Sequence, residues 1–172
     1  MGVKNVKVGS LKRAIARLAV VVVAIGAPAM VTATPAQAQY VSVNAWGMIF
    51  NEYQWTKTLT WSISTPRFIY ASDNILGSQP RQSWIVQDNA PNGHTIFHAD
   101  GCLDSNAQGE PYVMGCNGGN YQRWHFNRVN TSGKAVWQIQ NKATGLCLEN
   151  WNNGGVWALP CANKSGQRWF MG

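Results

Sequence analysis

The sequence predicts an all-β domain built from three repeats, and two observations support this prediction. A block of two cysteines fourteen positions apart, followed after six positions by Gln-x-Trp, ends at Trp124 and recurs 45 residues later, ending at Trp169. A fixed period of this length is typical of a repeated fold whose single copies are too small to fold alone. Short apolar runs such as 95–98 and 135–140 alternate with turn residues, and the density of Gly, Asn and Pro leaves no window of helical length.

The first 38 residues have the composition of a secretory leader, so we exclude them from the fold. Five basic residues within 4–17 precede the apolar run 18–25, and Ala-Gln-Ala at 36–38 offers small side chains for cleavage. The apolar run is shorter than the ~20 residues that span a bilayer. We therefore expect a secreted chain with no membrane insertion after cleavage.

Removal of this leader changes the charge of the protein. The whole sequence has 14 basic and 7 acidic residues, a formal net charge of +7, and five of the basic residues lie in the leader. The remaining 134 residues, 39–172, are enough for one modest core and carry nine basic residues against seven acidic ones. This small excess does not favour nucleic acid, and we expect no nucleic-acid partner.

A third Gln-x-Trp completes the repeat pattern. It ends at Trp84, which lies 40 residues before Trp124. Three repeats then fit the predicted domain, with bounds at about 39–90, 91–130 and 131–172.

The four cysteines all lie in the part expected to be secreted, where disulfides form. Four cysteines allow three pairings, and repeat symmetry favours Cys102 with Cys116 and Cys147 with Cys161. Each pair would close a loop of about fifteen residues, which contributes about 3 kcal/mol in the chain-entropy model. The alternative is a zinc site, but the cysteine spacing does not match that of zinc ligands, and we expect no metal and no cofactor.

The Gln-x-Trp residues are interpreted as structural rather than as ligand contacts. A symmetric centre needs a large ring from every copy, which Trp84, Trp124 and Trp169 provide. The glutamines two positions before the second and third rings, Gln122 and Gln167, can satisfy backbone groups there.

This combination of Cys-Leu-Asp, an in-repeat cysteine pair and Gln-x-Trp resembles the ricin-type β-trefoil lectin domain. Repeat two is most similar to the repeats of the actinohivin-type lectins. The resemblance implies a β-trefoil in which Asp104, Tyr112, Asn117 and Tyr121 bind a sugar. The chemistry suits a hydroxyl-rich ligand, because a carboxylate and an amide bond hydroxyl groups and an aromatic ring covers a pyranose face. The structural alternatives are a turn role for Asp104 and strand packing for the two tyrosines.

Repeat three keeps only part of this set. In the same register it has Glu149 and Trp157, but Ala162 and Gly166 replace the amide and the second tyrosine. We expect Glu149 and Trp157 to form a weaker candidate site.

Repeat one departs furthest from the pattern and has no cysteine pair. Counting back from Trp84 places Ile63-Ser64 at the position of Leu-Asp, with Gly77 and Arg81 at the amide and second tyrosine positions, so no sugar pocket is expected. The repeat is instead rich in aromatic residues, namely Trp46, Phe50, Tyr53, Trp55, Trp61, Phe68 and Tyr70.

The sequence therefore predicts a secreted, non-enzymatic carbohydrate-binding domain with one intact pocket in repeat two. The resemblance favours mannose-type glycans, with galactose and xylan as alternatives. A second hypothesis is a trefoil interaction or inhibitor protein that binds a protein partner through repeat one and has largely lost sugar binding. We expect no catalytic residues, because the chain has no Gly-x-Ser-x-Gly, no His-Glu-x-x-His and no Gly-rich phosphate loop. The third and weakest hypothesis is a glycosidase, whose paired carboxylates can lie far apart in the sequence and close in space.

Overall fold

A computed structural model describes residues 46–73, 80–129, 135–151 and 154–172. In these ranges the chain forms thirteen β-strands and three single-turn 3-10 helices, and none of the described residues is in an α-helix. The prediction of an all-β fold is confirmed. The leader predicted over 1–38 lies outside the described residues. No helix within the described ranges has the length and apolar character needed to cross a bilayer.

The strands form a four-strand unit that occurs three times, and the first strand of the first unit is split in two. Their bounds are β1 Trp46–Gly47, β2 Ile49–Asn51, β3 Lys57–Trp61, β4 Ile69–Asp73, β5 Trp84–Asp88, β6 His94–His98, β7 Gly101–Ser105, β8 Pro111–Met114, β9 Trp124–Val129, β10 Val136–Asn141, β11 Cys147–Asn150, β12 Val156–Leu159 and β13 Trp169–Met171. The 3-10 helices lie at Pro80–Gln82, Asn120–Gln122 and Ser165–Gln167, so each ends on the glutamine of a Gln-x-Trp.

Seven strand segments close into a barrel. They are hydrogen-bonded in the order β1, β5, β6, β9, β10, β13, β2. Met48 separates β1 from β2 and exchanges backbone hydrogen bonds of 3.1 and 3.2 Å with Gly172, so β1 and β2 act as one strand and the barrel has six. The other six strands pair as the hairpins β3–β4, β7–β8 and β11–β12. This is the β-trefoil architecture that the resemblance implied.

Three tryptophans occupy equivalent positions at the centre of the core. Trp84, Trp124 and Trp169 are fully or almost fully buried. Each indole N–H donates to the carbonyl of a buried leucine, which satisfies the one polar atom of the ring. The three bonds are Trp84 to Leu59 at 2.8 Å, Trp124 to Leu103 at 3.0 Å and Trp169 to Leu148 at 2.9 Å.

These bonds show that the sequence register predicted for repeat one is wrong. The residue bonded to Trp84 is Leu59, so the position equivalent to Asp104 is Thr60 and not Ser64. Strand pairing agrees, because Thr60 lies opposite Tyr70 as Asp104 lies opposite Tyr112. The two residues predicted for this position, Ile63 and Ser64, instead lie exposed in the loop between β3 and β4.

Two disulfides fasten the hairpins of repeats two and three. They join Cys102 to Cys116 and Cys147 to Cys161, each with a Cα–Cα distance of 5.0 Å. In each repeat the bond ties the first strand of the hairpin to the segment that follows the second strand. These are the pairs that repeat symmetry favoured.

The three hairpins are also bonded to one another in a cycle. Tyr70, Tyr112 and Trp157 occupy equivalent positions in the three repeats. In each bond the donor is the residue after one of these aromatic residues, and the acceptor lies three residues before another. The bonds are Ala71 N–H to Gly154 O at 2.7 Å, Val113 N–H to Arg67 O at 2.9 Å and Ala158 N–H to Gly109 O at 2.7 Å. Gly109 has a φ of +84°, and a Cβ there would lie 2.1 Å from the oxygen of Ala158, so this position requires glycine.

Candidate functional site

The hairpin β7–β8 carries the first two predicted sugar contacts. Asp104 on β7 lies directly opposite Tyr112 on β8. Asp104 is only 2% exposed, and its Oδ1 atom is buried with no hydrogen-bond partner among the described residues. A buried carboxylate oxygen without a partner is rare and costs about 1–3 kcal/mol, so it calls for an explanation.

The hydroxyl of Tyr112 belongs to the same group of side chains. Burial raises the pKa of Tyr112, and the charge of Asp104, a hydrogen bond with Asp104 and the charge of Tyr121 raise it further. The hydroxyl therefore stays protonated at neutral pH and can donate to the carboxylate. Tyr112 thus lies opposite Asp104 and interacts electrostatically with both Asp104 and Tyr121.

Tyr121 and Asn117 are positioned by the segment after the second cysteine. The buried side chain of Gln122 holds this segment, since its Oε1 accepts from Asn117 N at 2.7 Å and its Nε2 donates to Gly115 O at 3.0 Å. Tyr121 lies on the 3-10 helix and is 42% exposed. Its carbonyl accepts from the side chain of Asn141 at 2.7 Å, which fixes the backbone beneath the ring.

Asn117 does not contact the other three residues by hydrogen bonds within the described part of the chain. Its Oδ1 accepts from Gly119 N at 2.7 Å, so the side chain stabilises its own turn. The residue is exposed, and its Nδ2 group forms no hydrogen bond to a described residue. Asp104 and Tyr112 therefore face each other on the hairpin and Tyr121 interacts electrostatically with Tyr112, whereas Asn117 makes no hydrogen bond to these residues within the described part of the chain.

The equivalent acid in repeat three has a different environment. Glu149 is also buried and lies opposite Trp157, but both of its oxygens are bonded. Its Oε2 accepts from Gln167 Nε2 at 2.8 Å, and its Oε1 lies 2.7 Å from Lys164 Nζ. The ammonium group thus takes the place that a ligand hydroxyl would need.

The remaining space of the repeat-three site is also filled. A Cβ on Gly166 would lie 2.9 Å from the oxygen of Asn150 and 3.4 Å from Cγ of Glu149. A tyrosine corresponding to Tyr121 therefore does not fit there. Of the predicted weaker site only Trp157 remains available, and its ring is 40% exposed.

In repeat one the position of Asp104 is occupied by a satisfied hydroxyl. Thr60 Oγ1 donates to Thr58 O at 2.9 Å, lies 2.8 Å from Ser72 Oγ and accepts from Gln82 Nε2 at 3.3 Å. No group at this position is left for a ligand. The aromatic residue opposite, Tyr70, is half-buried.

Sequence reasoning missed the role of Lys164. The lysine corresponds to Gly119 of repeat two, and its pairing with Glu149 joins residues fifteen positions apart. The sequence signal was the presence of Lys164 two positions before Gly166 in the repeat that has Glu149 in place of an aspartate. The sequence does not show that these two charges lie 2.7 Å apart.

The chain is similar to several solved structures, although no protein-family model and no curated protein sequence matches it. A designed 3-fold symmetric protein, ThreeFoil, has a TM-score of 0.62 and 18% identity, covering 73% of this chain and 96% of that one. A Polyporus squamosus lectin bound to the epitope Neu5Acα2-6Galβ1-4GlcNAc has a TM-score of 0.63 and 20% identity. The match covers 77% of this chain and 50% of that one. SeviL bound to asialo-GM1 saccharide has a TM-score of 0.60 and 16% identity, covering 74% and 95%.

These similarities define a fold class, the β-trefoil, for this chain. Two glycosidases are also similar, but the chain covers only 31% and 32% of their lengths. Since the identities are 20% or lower in all of these cases, what the chain binds has to be argued from its own side chains.

Proposed function

We propose that this protein is a secreted, non-enzymatic lectin that binds mannose-type glycans through a single site in repeat two. The observation that carries the proposal is the unpaired, buried oxygen of Asp104 beside Tyr112 and Tyr121. Of the three equivalent positions, this is the one whose polar side chain lacks a full set of partners, since Glu149 and Thr60 are satisfied internally.

The chemistry of this site suits a neutral sugar. Asp104 can accept charge-assisted hydrogen bonds from hydroxyl groups, and these are stronger than bonds between neutral groups. Tyr121 offers an exposed ring for the C–H face of a pyranose, and Asn117 offers an exposed amide at the rim.

The burial of Asp104 adds a requirement to the proposal. The carboxylate is closed off from solvent in this structure, so a sugar reaches it only if the side chains that cover it move as the ligand enters. We propose Tyr121 as the side chain that moves, because it is 42% exposed. Binding should therefore change the environment of Tyr121.

A single small site of this kind binds weakly, with a Kd of the order of 1 mM, which corresponds to about 4 kcal/mol. Useful avidity then requires a polyvalent glycan surface or several copies of the protein. The preference for mannose and the secretion of the chain come from the resemblance and the leader. The two disulfides agree with an oxidising compartment.

The test is a titration of the purified domain with methyl α-mannoside, and in parallel a glycan array that presents mannose, galactose and xylan ligands polyvalently. Asp104→Asn keeps the shape of the side chain and removes its charge, so we expect binding to weaken by roughly 10-fold or more. Glu149→Gln is the matched control in the equivalent strand and should leave binding unchanged.

Two results would contradict the proposal. The first is the absence of binding to every glycan on a polyvalent array. The second is equal binding by the wild type and the Asp104→Asn variant, which would place any sugar site elsewhere on the molecule.

A second candidate function is supported by exposed rings in the loop between β2 and β3. Trp55 is 73% exposed and its neighbour Tyr53 is also exposed, and large exposed aromatic residues mark interaction surfaces. On this hypothesis the trefoil binds a protein partner through repeat one. A glycan array without signal, together with a partner that the wild type binds and the Trp55→Ala variant does not, would favour it.

A further inference from the structure

The three hairpins line an open cavity of about 820 Å³, which lies within the range of about 300–1,000 Å³ that is typical of small-molecule sites. Each hairpin contributes to its wall. The lining includes Phe68 and Tyr70 from the first hairpin, Glu110 and Tyr112 from the second, and Gly155 and Trp157 from the third. Tyr70, Tyr112 and Trp157 occupy the same position in their repeats. We call this cavity the axial groove.

The walls of the axial groove are held in place by the backbone. The cycle of hydrogen bonds among the hairpins ties each wall to the next at 2.7 to 2.9 Å. Two of these bonds belong to backbone bridges, in which Phe68 pairs with Tyr112 and Tyr70 pairs with Gly155. A groove built in this way exists before any ligand arrives, which lowers the entropic cost of binding.

The side chains of the groove define the ligand that it would accept. Phe68 is 50% exposed and Trp157 is 40% exposed, so both present ring surface to solvent. No lysine, arginine or histidine is among the described residues that line it, and Glu110 is the acid there. Arg67, the residue before Phe68, has its guanidinium over the Trp61 ring at 5.2 Å and does not line the groove. The groove thus suits a neutral ligand with flat apolar faces.

Tyr112 connects the groove to the site in repeat two. Tyr112 lines the groove, and it also lies opposite Asp104 and interacts with that carboxylate. A glycan held at Asp104 by its terminal residue would therefore have an aromatic surface, which begins with Phe68, directly beside it.

We propose that the axial groove is a second subsite that binds the inner sugar residues of an oligosaccharide whose terminal residue is held at Asp104. This inference rests on the proposed function and extends it from a monosaccharide to an oligosaccharide. Phe68 and Trp157 are the residues that stack on the inner rings. All three hairpins line the same groove, so it provides one extended site and not three.

The experiment compares two ligands by titration calorimetry, methyl α-mannoside and an α-linked mannotriose, on the disulfide-bonded domain. We expect the wild type to bind the trisaccharide about 10-fold more tightly than the monosaccharide, since each aromatic contact contributes a factor of a few. Phe68→Ala and Trp157→Ala should each reduce this ratio to about 3-fold and leave the monosaccharide affinity unchanged. Trp55→Ala, which removes an exposed ring outside the groove, is the control and should change neither affinity.

A second measurement uses tryptophan fluorescence. The trisaccharide should change the emission of the wild type, and the Trp157→Phe variant should lose most of this change. Phe68 is half-exposed, so its replacement leaves the core intact, and a thermal melt verifies this.

Each outcome is decisive. Equal affinities for the two ligands would overturn the subsite and leave the proposed function standing. An absence of binding to either ligand would overturn both. An octyl α-mannoside that binds as tightly as the trisaccharide, and loses this advantage in Phe68→Ala, would assign the groove to an apolar aglycone and overturn its assignment to sugars.

Discussion

The different environments of Asp104 and Glu149 lead to a quantitative prediction about stability. The two acids lie at equivalent positions, yet one has an unpaired oxygen and the other is fully bonded. Removal of a side chain whose polar atom has no partner in the free protein should lower the free energy of unfolding only slightly. Removal of a side chain that is hydrogen-bonded within the protein should lower it much more. Alanine replacement at each position separates the two cases.

For Glu149→Ala the expected loss is about 3 kcal/mol of unfolding free energy. The buried bond from Gln167 to a charged acceptor contributes about 2 kcal/mol. The pairing with Lys164 contributes less than about 1 kcal/mol, because the lysine side chain is 51% exposed and therefore screened. Loss of buried methylene groups adds about 0.8 kcal/mol for each group.

For Asp104→Ala the opposing contributions nearly cancel. The variant loses the electrostatic interaction with the Tyr112 hydroxyl, which contributes at most about 1 kcal/mol, but it also removes a buried oxygen whose desolvation costs about 1–3 kcal/mol. The net change should lie within about 1 kcal/mol of zero. The two variants should therefore differ by about 2–3 kcal/mol although the same kind of group is removed from the same place in each hairpin.

Urea unfolding followed by tryptophan fluorescence measures both values, and an unchanged m value shows that the comparison is valid. A loss for Asp104→Ala as large as that for Glu149→Ala would refute the reasoning. It would mean that the Asp104 carboxylate is satisfied in the folded protein, which would remove the main support for a ligand site.

Three further predictions concern other features of the fold. Gly109→Ala should lower the unfolding free energy by more than about 2 kcal/mol, because its Cβ would clash with a carbonyl at 2.1 Å, whereas Gly115→Ala, with no atom within 4 Å, should be nearly neutral in the same urea assay. The pKa of Tyr112 is raised above 10.0, so its contribution to stability is present below that pH and is lost as the pH rises through the raised value; Tyr112→Phe should flatten this part of an alkaline unfolding profile. Replacement of Cys102 and Cys116 by alanine should cost about 3 kcal/mol, measured against the oxidised parent, since the bond closes a loop across 14 positions.

The sequence predicted the repeated all-β fold because the features that define it are local and periodic. The Gln-x-Trp blocks recur at nearly constant spacing, and each places a tryptophan whose indole bonds to a leucine of its own repeat. Repeat symmetry also indicated the disulfide pairs, because each disulfide closes a short loop within one repeat. In both cases equivalent residues of different repeats make the same contact.

The register of repeat one could not be counted from the sequence. The segment from Thr60 to Tyr70 is two residues longer than its counterparts, and the segment from Tyr70 to Trp84 is also two residues longer than its counterparts. Together these four residues explain why Thr60 and not Ser64 matches Asp104. Counting residues back from Trp84 does not show which loop contains the extra residues. The hydrogen bond from the Trp84 indole to the Leu59 carbonyl fixes the register, because the leucines of the other two repeats make the same bond.

The amino-acid pattern is enough to predict the three-unit all-β fold and the residue types available to a site in repeat two. The packing of the folded chain shows which of the three equivalent positions has a buried polar atom without a hydrogen-bond partner. Lys164 neutralises Glu149, and Ser72 and Gln82 satisfy Thr60, whereas an oxygen of Asp104 has no partner within the described residues. The physical reason is that a hydrogen bond requires a distance of about 3 Å and a suitable angle, and these depend on how whole segments pack and not on residue identity alone.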